Sequence, residues 1–244
     1  MIISFFEEYP TTENLSKLNL IKFPTKLYLA APSLKKFKLL VSQIKNKKIK
    51  EFIYWPVLER TEGYWYSPFS SRKALKRTLN EIPLTQPVMI DLELPTSQNP
   101  KLYLTQFFNF FQNKYLLNKF IKEHKNIYTA EYFPIKPWMK FLALNYDSNK
   151  YNNKVIKMLY SSMWPFSDKF MDKHLKQGKT LFKENYLAGF GTIATGEGGN
   201  EPLLSLKQLE RDLTLAKKND IKEIILFRLS GLNQDYLKVI SKFI

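Results

Sequence analysis

The chain of 244 residues contains no cysteine, which removes disulfides, thiolate nucleophiles and zinc-thiolate or iron-sulfur sites together. Histidine is nearly absent. His124 and His174 fall within or near the ends of helical patterns, where a helix-end charge or a solvated surface suits them better than catalysis. There is no HExxH or other histidine-rich metal set and no Ser-His-Asp arrangement, so zinc hydrolysis and serine-type acyl transfer are both disfavoured. No apolar run approaches the ~20 residues that span a bilayer. The N-terminus, Met1 to Pro10, has neither a basic n-region nor a small-residue cleavage site and reads as a first strand. A cytoplasmic protein with no membrane association is the expectation.

Acids are scarce as well. Lysine and arginine number 38 against 22 aspartates and glutamates, a formal net charge of +16. Only five of the basic residues are arginines (Arg60, Arg72, Arg77, Arg211, Arg228), whereas phosphate and base recognition favour the bidentate guanidinium fork. The lysines are spread over helical patterns such as Leu34 to Leu40, which argues for a solvated basic surface and against nucleic acid as the partner.

What the sequence does hold is an alternation of apolar runs and helical patterns. The runs are Ile2 to Phe6, Lys26 to Ala30, Glu51 to Trp55, Val88 to Leu92, Ile127 to Glu131, Val155 to Ser161, Leu187 to Ile193 and Glu223 to Leu229. Helices are expected at Thr12 to Leu20, Leu34 to Ile44, Arg72 to Leu79 and Leu102 to Lys122. Four more follow at Trp138 to Leu144, Ser167 to Lys176, Leu206 to Lys218 and Asp235 to Phe243. Ser205 with Gln208 forms a capping box. Prolines 10, 32, 56, 95, 134, 165 and 202 stand just beyond strand ends, where a residue without an N–H cannot extend a central strand. Eight β-α units in about 250 residues predict an α/β fold, a (β/α)8 TIM barrel, as one domain over residues 1–244. A doubly wound sheet fits less well, because no glycine-rich dinucleotide turn follows the first strand.

In such a barrel the carboxyl ends of the strands form the active-site face. Nine of the 22 acids stand there: Glu7, Glu8, Glu59, Glu62, Asp91, Glu93, Glu131, Glu197 and Glu201. Pairing with nearby lysines or helix caps accounts for Glu59, Glu62 and Glu7. Asp91 and Glu93, two apart at the end of the fourth strand, point to one face roughly 7 Å apart. If that face is the interior, two carboxylates in a low dielectric cannot both ionise cheaply, and one is pushed to keep a proton near neutrality. Trp55, Trp65 between Tyr64 and Tyr66, and Trp164 offer flat apolar faces suited to stacking on sugar rings, while Trp138 reads as loop packing. The glycines of Thr195 to Pro202 let backbone approach a ligand and aim Glu197 and Glu201; a phosphate there would meet repulsion from both acids. Arg228, near the end of the eighth strand, can pair with an acid or hold a substrate anion.

With Met89-Ile90-Asp91-Leu92-Glu93 on the fourth strand and Met158-Leu159-Tyr160 on the sixth, the chain resembles barrel glycoside hydrolases, most closely family-18 chitinase-like enzymes, which carry D-x-E and M-x-Y there. The resemblance implies that Glu93 protonates the glycosidic oxygen, Asp91 positions a 2-acetamido group acting as internal nucleophile, and Tyr160 hydrogen-bonds its carbonyl. The longer aspartate run before D-x-E is missing, Ser161 stands where that family has aspartate, and Ile53 to Val57 replaces a small Ser/Gly-rich motif. A two-carboxylate mechanism pairing Glu93 with Glu131 or Glu197 is therefore equally open.

The leading expectation is a glycoside hydrolase-like enzyme using carboxylate acid/base chemistry on a small-molecule, oligosaccharide or glycoconjugate substrate, without a cofactor. Its catalytic candidates are Glu93, Asp91, Glu131, Glu197 and Tyr160; its substrate contacts are Glu8, Trp55, Trp65, Trp164, Glu201 and Arg228. Two alternatives stand beside it. One is a magnesium-dependent phosphoester or sugar-phosphate enzyme with Asp91, Glu93 and Glu131 as ligands and Arg228 for the anion. The other is a non-catalytic barrel whose basic outside contacts a polyanion.

Overall fold

A computed structural model describes residues 1–134 and 136–244. Its first half runs β1 (Ile2–Glu7), α1 (Thr12–Ser16), β2 (Thr25–Ala31), α2 (Leu34–Gln43), β3 (Ile49–Pro56), α3 (Arg72–Glu81), β4 (Val88–Leu92), α4 (Leu102–Thr105) and α5 (Phe110–Glu123). The second runs β5 (Ile127–Glu131), α6 (Pro137–Phe141), α7 (Ser148–Tyr151), β6 (Lys154–Met158), α8 (Asp168–Phe182), β7 (Tyr186–Phe190), α9 (Leu206–Lys218), β8 (Glu223–Phe227) and α10 (Gln234–Ile240). The strands hydrogen-bond in the order β1 to β8 and close into a barrel, the (β/α)8 architecture expected from the alternation.

Within that order the chain forms two compact units, one of residues 1–30, 40–52 and 156–244, the other of 31–39 and 53–155. In the first, β1 pairs in parallel with β2 and β8, and β7 with β8. Alternation assigns the faces. Tyr186 of β7 lies against Gly178 of α8, so close that a Cβ on the glycine would sit 2.2 Å from the tyrosine ring; its parity therefore faces the helices. Through the register Ala188↔Ile224 and Ile3↔Ile224, Ile3, Phe5 and Glu7 share that helix-facing side, and Ser4, Phe6, Ile225 and Phe227 take the other. There Phe6 packs on Tyr28 and Phe227 with ring centroids 5.3 and 6.3 Å apart. Below them Glu223 is held by Ser4 (2.8 Å), Tyr28 (3.0 Å) and Lys26 (2.9 Å), which satisfies an acid that is almost wholly buried.

In the second unit β4 pairs with β3 at Tyr54↔Val88 and with β5 from Val88↔Ile127 to Leu92↔Glu131. Phe37 of α2 packs on Tyr54, 5.0 Å between centroids, so Tyr54, Val88, Ile90 and Leu92 face the helices. Met89 and Asp91 face the opposite way.

The strands β4 and β5 and the helix α9 have the bounds expected from sequence, and the Ser205–Gln208 capping box forms at the start of α9. Elsewhere the outcome differs. β6, β7 and β8 stop two or three residues early, at Met158, Phe190 and Phe227, although Leu159, Ile193 and Leu229 beyond them are still buried. The long helix expected over Leu102 to Lys122 is broken at Gln106, whose backbone (φ −103, ψ 3) leaves the helical range. α6 ends at Phe141, three residues short of the expected Leu144, and Ala143 beyond it adopts a left-handed φ of 53.

Candidate active site

The carboxyl end of β4 carries the acids of the second unit. Asp91 is 5% exposed and pairs in register with Ala130 of β5, so the two share a face. Two residues on, Glu93 accepts a short hydrogen bond from the Tyr132 hydroxyl, which continues the same face. Tyr132 is held protonated well above the ordinary phenol value, first by burial and then by the charges of Glu93 and Asp91. Both carboxyls therefore act on one hydroxyl. Glu93 itself is raised from 4.5 to about 7, because burial penalises its charged form more than the Tyr132 hydroxyl steadies it. A carboxyl that keeps its proton near neutrality and has an electronegative neighbour is the equipment of a general acid.

Glu131 does not join them. Its register partner is Leu92, so it faces the helices, opposite to Asp91. There it accepts from Thr129 Oγ1 (2.8 Å) and from the Tyr146 amide (3.0 Å), fixing the chain that follows α6. The expected magnesium set of Asp91, Glu93 and Glu131 is split by that parity. Among the described residues no three acidic or histidine side chains converge as metal ligands. Trp55, expected at a wet rim, is 3% exposed; one residue past Tyr54, it faces the side of Met89 and Asp91. Trp65 is half-buried, edge-on to Tyr64 at 5.2 Å. Glu59 and Glu62 cap a single turn, and Glu62 binds Arg77 through two bonds of 2.8 and 2.7 Å.

The first unit carries a separate set. Glu7, fully buried, receives Arg228 Nη1 (2.9 Å), the Tyr9 amide (2.9 Å) and the Ser230 amide (2.9 Å). Burial raises its carboxyl above the ordinary value, while Arg228 and the two amides pull it back. Arg228 also donates to Thr195 O (2.8 Å) and lies over the Tyr9 ring. Of the two roles expected for Arg228, pairing with an acid is the one seen: its guanidinium binds the buried Glu7, whose charge would otherwise be stranded. Glu8 takes the opposite parity, on the side of Phe6 and Phe227. A Cβ on Gly196 would lie 2.6 Å from Phe227 and 3.1 Å from Glu8 Oε2, so glycine is required for the loop to pass there. Glu197 accepts from the Tyr9 hydroxyl at 2.7 Å. Glu201 folds back on its own loop, accepting from the Gly196 and Gly198 amides at 3.1 and 2.9 Å, and so shapes the turn before contacting anything else.

Tyr160, just past β6, lies against Gly191, where a Cβ would come within 2.5 Å of its ring, and its centroid is 5.9 Å from that of Phe227. Ser161 is buried and donates to Asp212 of α9, so the position where the resembled family has aspartate serves packing here. Trp164 is 62% exposed. His124, expected as a helix-end charge or a surface residue, is instead buried behind α5 against Phe120, and burial lowers its affinity for a proton. Sequence reasoning passed over Tyr132 and Tyr9. Each directly follows a strand-end acid, and the parity that makes Asp91 and Glu93 co-facial reaches Tyr132 once the β4–β5 register is fixed.

No protein-family model and no curated protein matches the chain. Solved structures do. The spore cortex-lytic enzyme SleL of Bacillus megaterium superposes with a TM-score of 0.57 at 12% identity, over 100% of this chain and 74% of that one. The glycoside hydrolase domain of PgaB (BpsB) from Bordetella bronchiseptica gives 0.53 at 10% identity, over 97% and 94%. A D-tagatose 3-epimerase-like protein gives 0.52 at 11%, over 99% and 95%. In fold the chain is therefore similar to barrel enzymes that include glycoside hydrolases. At these identities the likeness is one of architecture, and an architecture names no reaction.

Proposed function

We propose that the protein is a glycoside hydrolase in which Glu93 is the general acid. The observation that carries this reading is the Glu93 carboxyl at the end of β4, lifted to about 7 by burial and hydrogen-bonded by Tyr132 beside the co-facial Asp91. Glu93 gives its proton to the glycosidic oxygen as the bond to the anomeric carbon breaks, Asp91 opposes the positive charge that grows on the sugar, and water then adds to that carbon and returns a proton to ionised Glu93. Where the sugar bears a 2-acetamido group, Asp91 is placed to orient it. Tyr132 orients Glu93 and keeps it from drifting toward a still higher pKa. Glu8, Glu197, Tyr160 and Trp164 belong to the other unit and are given no part in this step.

The reading is supported by the fold, by D-x-E at the fourth strand and by the raised acid; the split of Asp91 from Glu131 favours it over the magnesium alternative. The test is a binding screen by calorimetry with plain and N-acetylated oligosaccharides, and separately with magnesium plus inorganic phosphate. Saccharide binding that weakens on Asp91→Ala is expected. Binding of magnesium and phosphate with no saccharide bound would overturn the assignment.

A further inference from the structure

An aromatic surface on the second unit is left uncovered. Phe107, Phe108, Phe111 and Tyr115 are 64, 90, 71 and 68% exposed, and they recur at spacings of three and four along the approach to α5 and its first two turns. The opposite side of α5 is buried through Phe110, Leu117, Phe120 and Ile121, so this helix carries large rings on its exposed side as well as on its buried one. That is not the pattern of a helix with one face in a core and one in water. Phe141 of α6, 55% exposed, stacks on Phe110 at 5.6 Å, and Trp138, 48% exposed, lies on the same short helix. The two segments thus form one patch.

Its charge is strongly one-sided. Residues 101–123 and 136–141 together hold six lysines and a single acid, Glu123 at the far end of α5, and Lys114 Nζ sits 4.6 Å from the centre of the Phe141 ring. A second copy of the chain is a poor occupant, because a self-complementary contact would bring six lysines against six with one acid on each side to answer them. Exposed phenylalanine and tryptophan rimmed by lysine is instead complementary to a bilayer surface, where rings enter the headgroup boundary and ammonium groups meet anionic lipid. We propose that this patch docks the protein on the surface of an anionic membrane. The contact is peripheral: among the described residues no helix is long and apolar enough to cross one. The expectation of no membrane association was drawn from spanning length, which a surface contact does not require.

The experiment is co-sedimentation of the full chain with vesicles of phosphatidylcholine alone and of phosphatidylcholine containing phosphatidylglycerol, at low and high salt. Analytical ultracentrifugation without lipid runs alongside. Expected are binding to the anionic vesicles only, its loss at high salt, and at least about a tenfold drop for the triple variant Phe107→Ser, Phe108→Ser, Phe111→Ser. Lys101→Gln with Lys119→Gln and Lys140→Gln, which leaves the rings in place, should weaken binding to the same vesicles and serves if the triple variant does not fold. Equal binding to neutral vesicles, no binding to anionic ones, or a dimer that the triple variant dissolves would each overturn the proposal.

Discussion

Replacing Glu93 with glutamine is expected to stabilise the protein above neutrality and to leave its stability unchanged in acid. The carboxyl is raised in the folded chain from 4.5 to about 7. Between those values the native state holds a proton that the unfolded chain has released, so stability falls as pH rises through this window and levels off above it. At about 1.4 kcal/mol for each pH unit, the full window corresponds to roughly 3 kcal/mol. Glutamine keeps an oxygen that accepts from Tyr132 and has no charge to bury. Urea unfolding of both proteins across this range should therefore give matching free energies near pH 4.5 and a variant more stable by about 1–3 kcal/mol once pH exceeds 7. Stability curves that run parallel through the window, or a variant less stable at the alkaline end, would refute the claim that burial holds Glu93 protonated.

Two further outcomes follow from the same contacts. Tyr132→Phe deletes the hydroxyl that steadies ionised Glu93, so the alkaline limit of activity and the upper edge of the stability window should both move to higher pH. A pH profile superimposable on that of the parent would count against the bond. Arg228→Met should cost about 3–5 kcal/mol in urea unfolding by stranding the buried Glu7, and adding Glu7→Gln should recover a large part of that loss. Simple additivity of the two changes would show that the pair does not act as a unit.

Much of the fold was legible because parallel strands covered on both sides must be nearly continuous apolar runs, and Val88 to Leu92 and Ile127 to Glu131 are such runs. The capping box at Ser205 and Gln208 likewise announced α9. Within one strand, spacing was enough to make Asp91 and Glu93 co-facial. Between strands it was not. Nothing in the sequence says that Leu92, and not Asp91, aligns with Glu131, and that one-residue offset moves Glu131 from the acids to the helix side. Glu7 and Glu8 divide by simple alternation along β1, but that Arg228, just past the neighbouring strand β8, meets Glu7 depends again on the pairing between strands. The patch around Phe108 was hidden for a different reason. A helix with rings on both sides offers two faces that could be the core, and only the packed structure shows which one has no neighbour.

Whether Glu93 delivers the proton in glycoside cleavage is read from the release of reducing ends from a bound oligosaccharide by the parent and by Glu93→Gln, with affinity determined for both. Release by the parent should decline as pH passes about 7, and the variant should still bind but release at least about a hundredfold less. A variant that cleaves as fast as the parent would contradict that role.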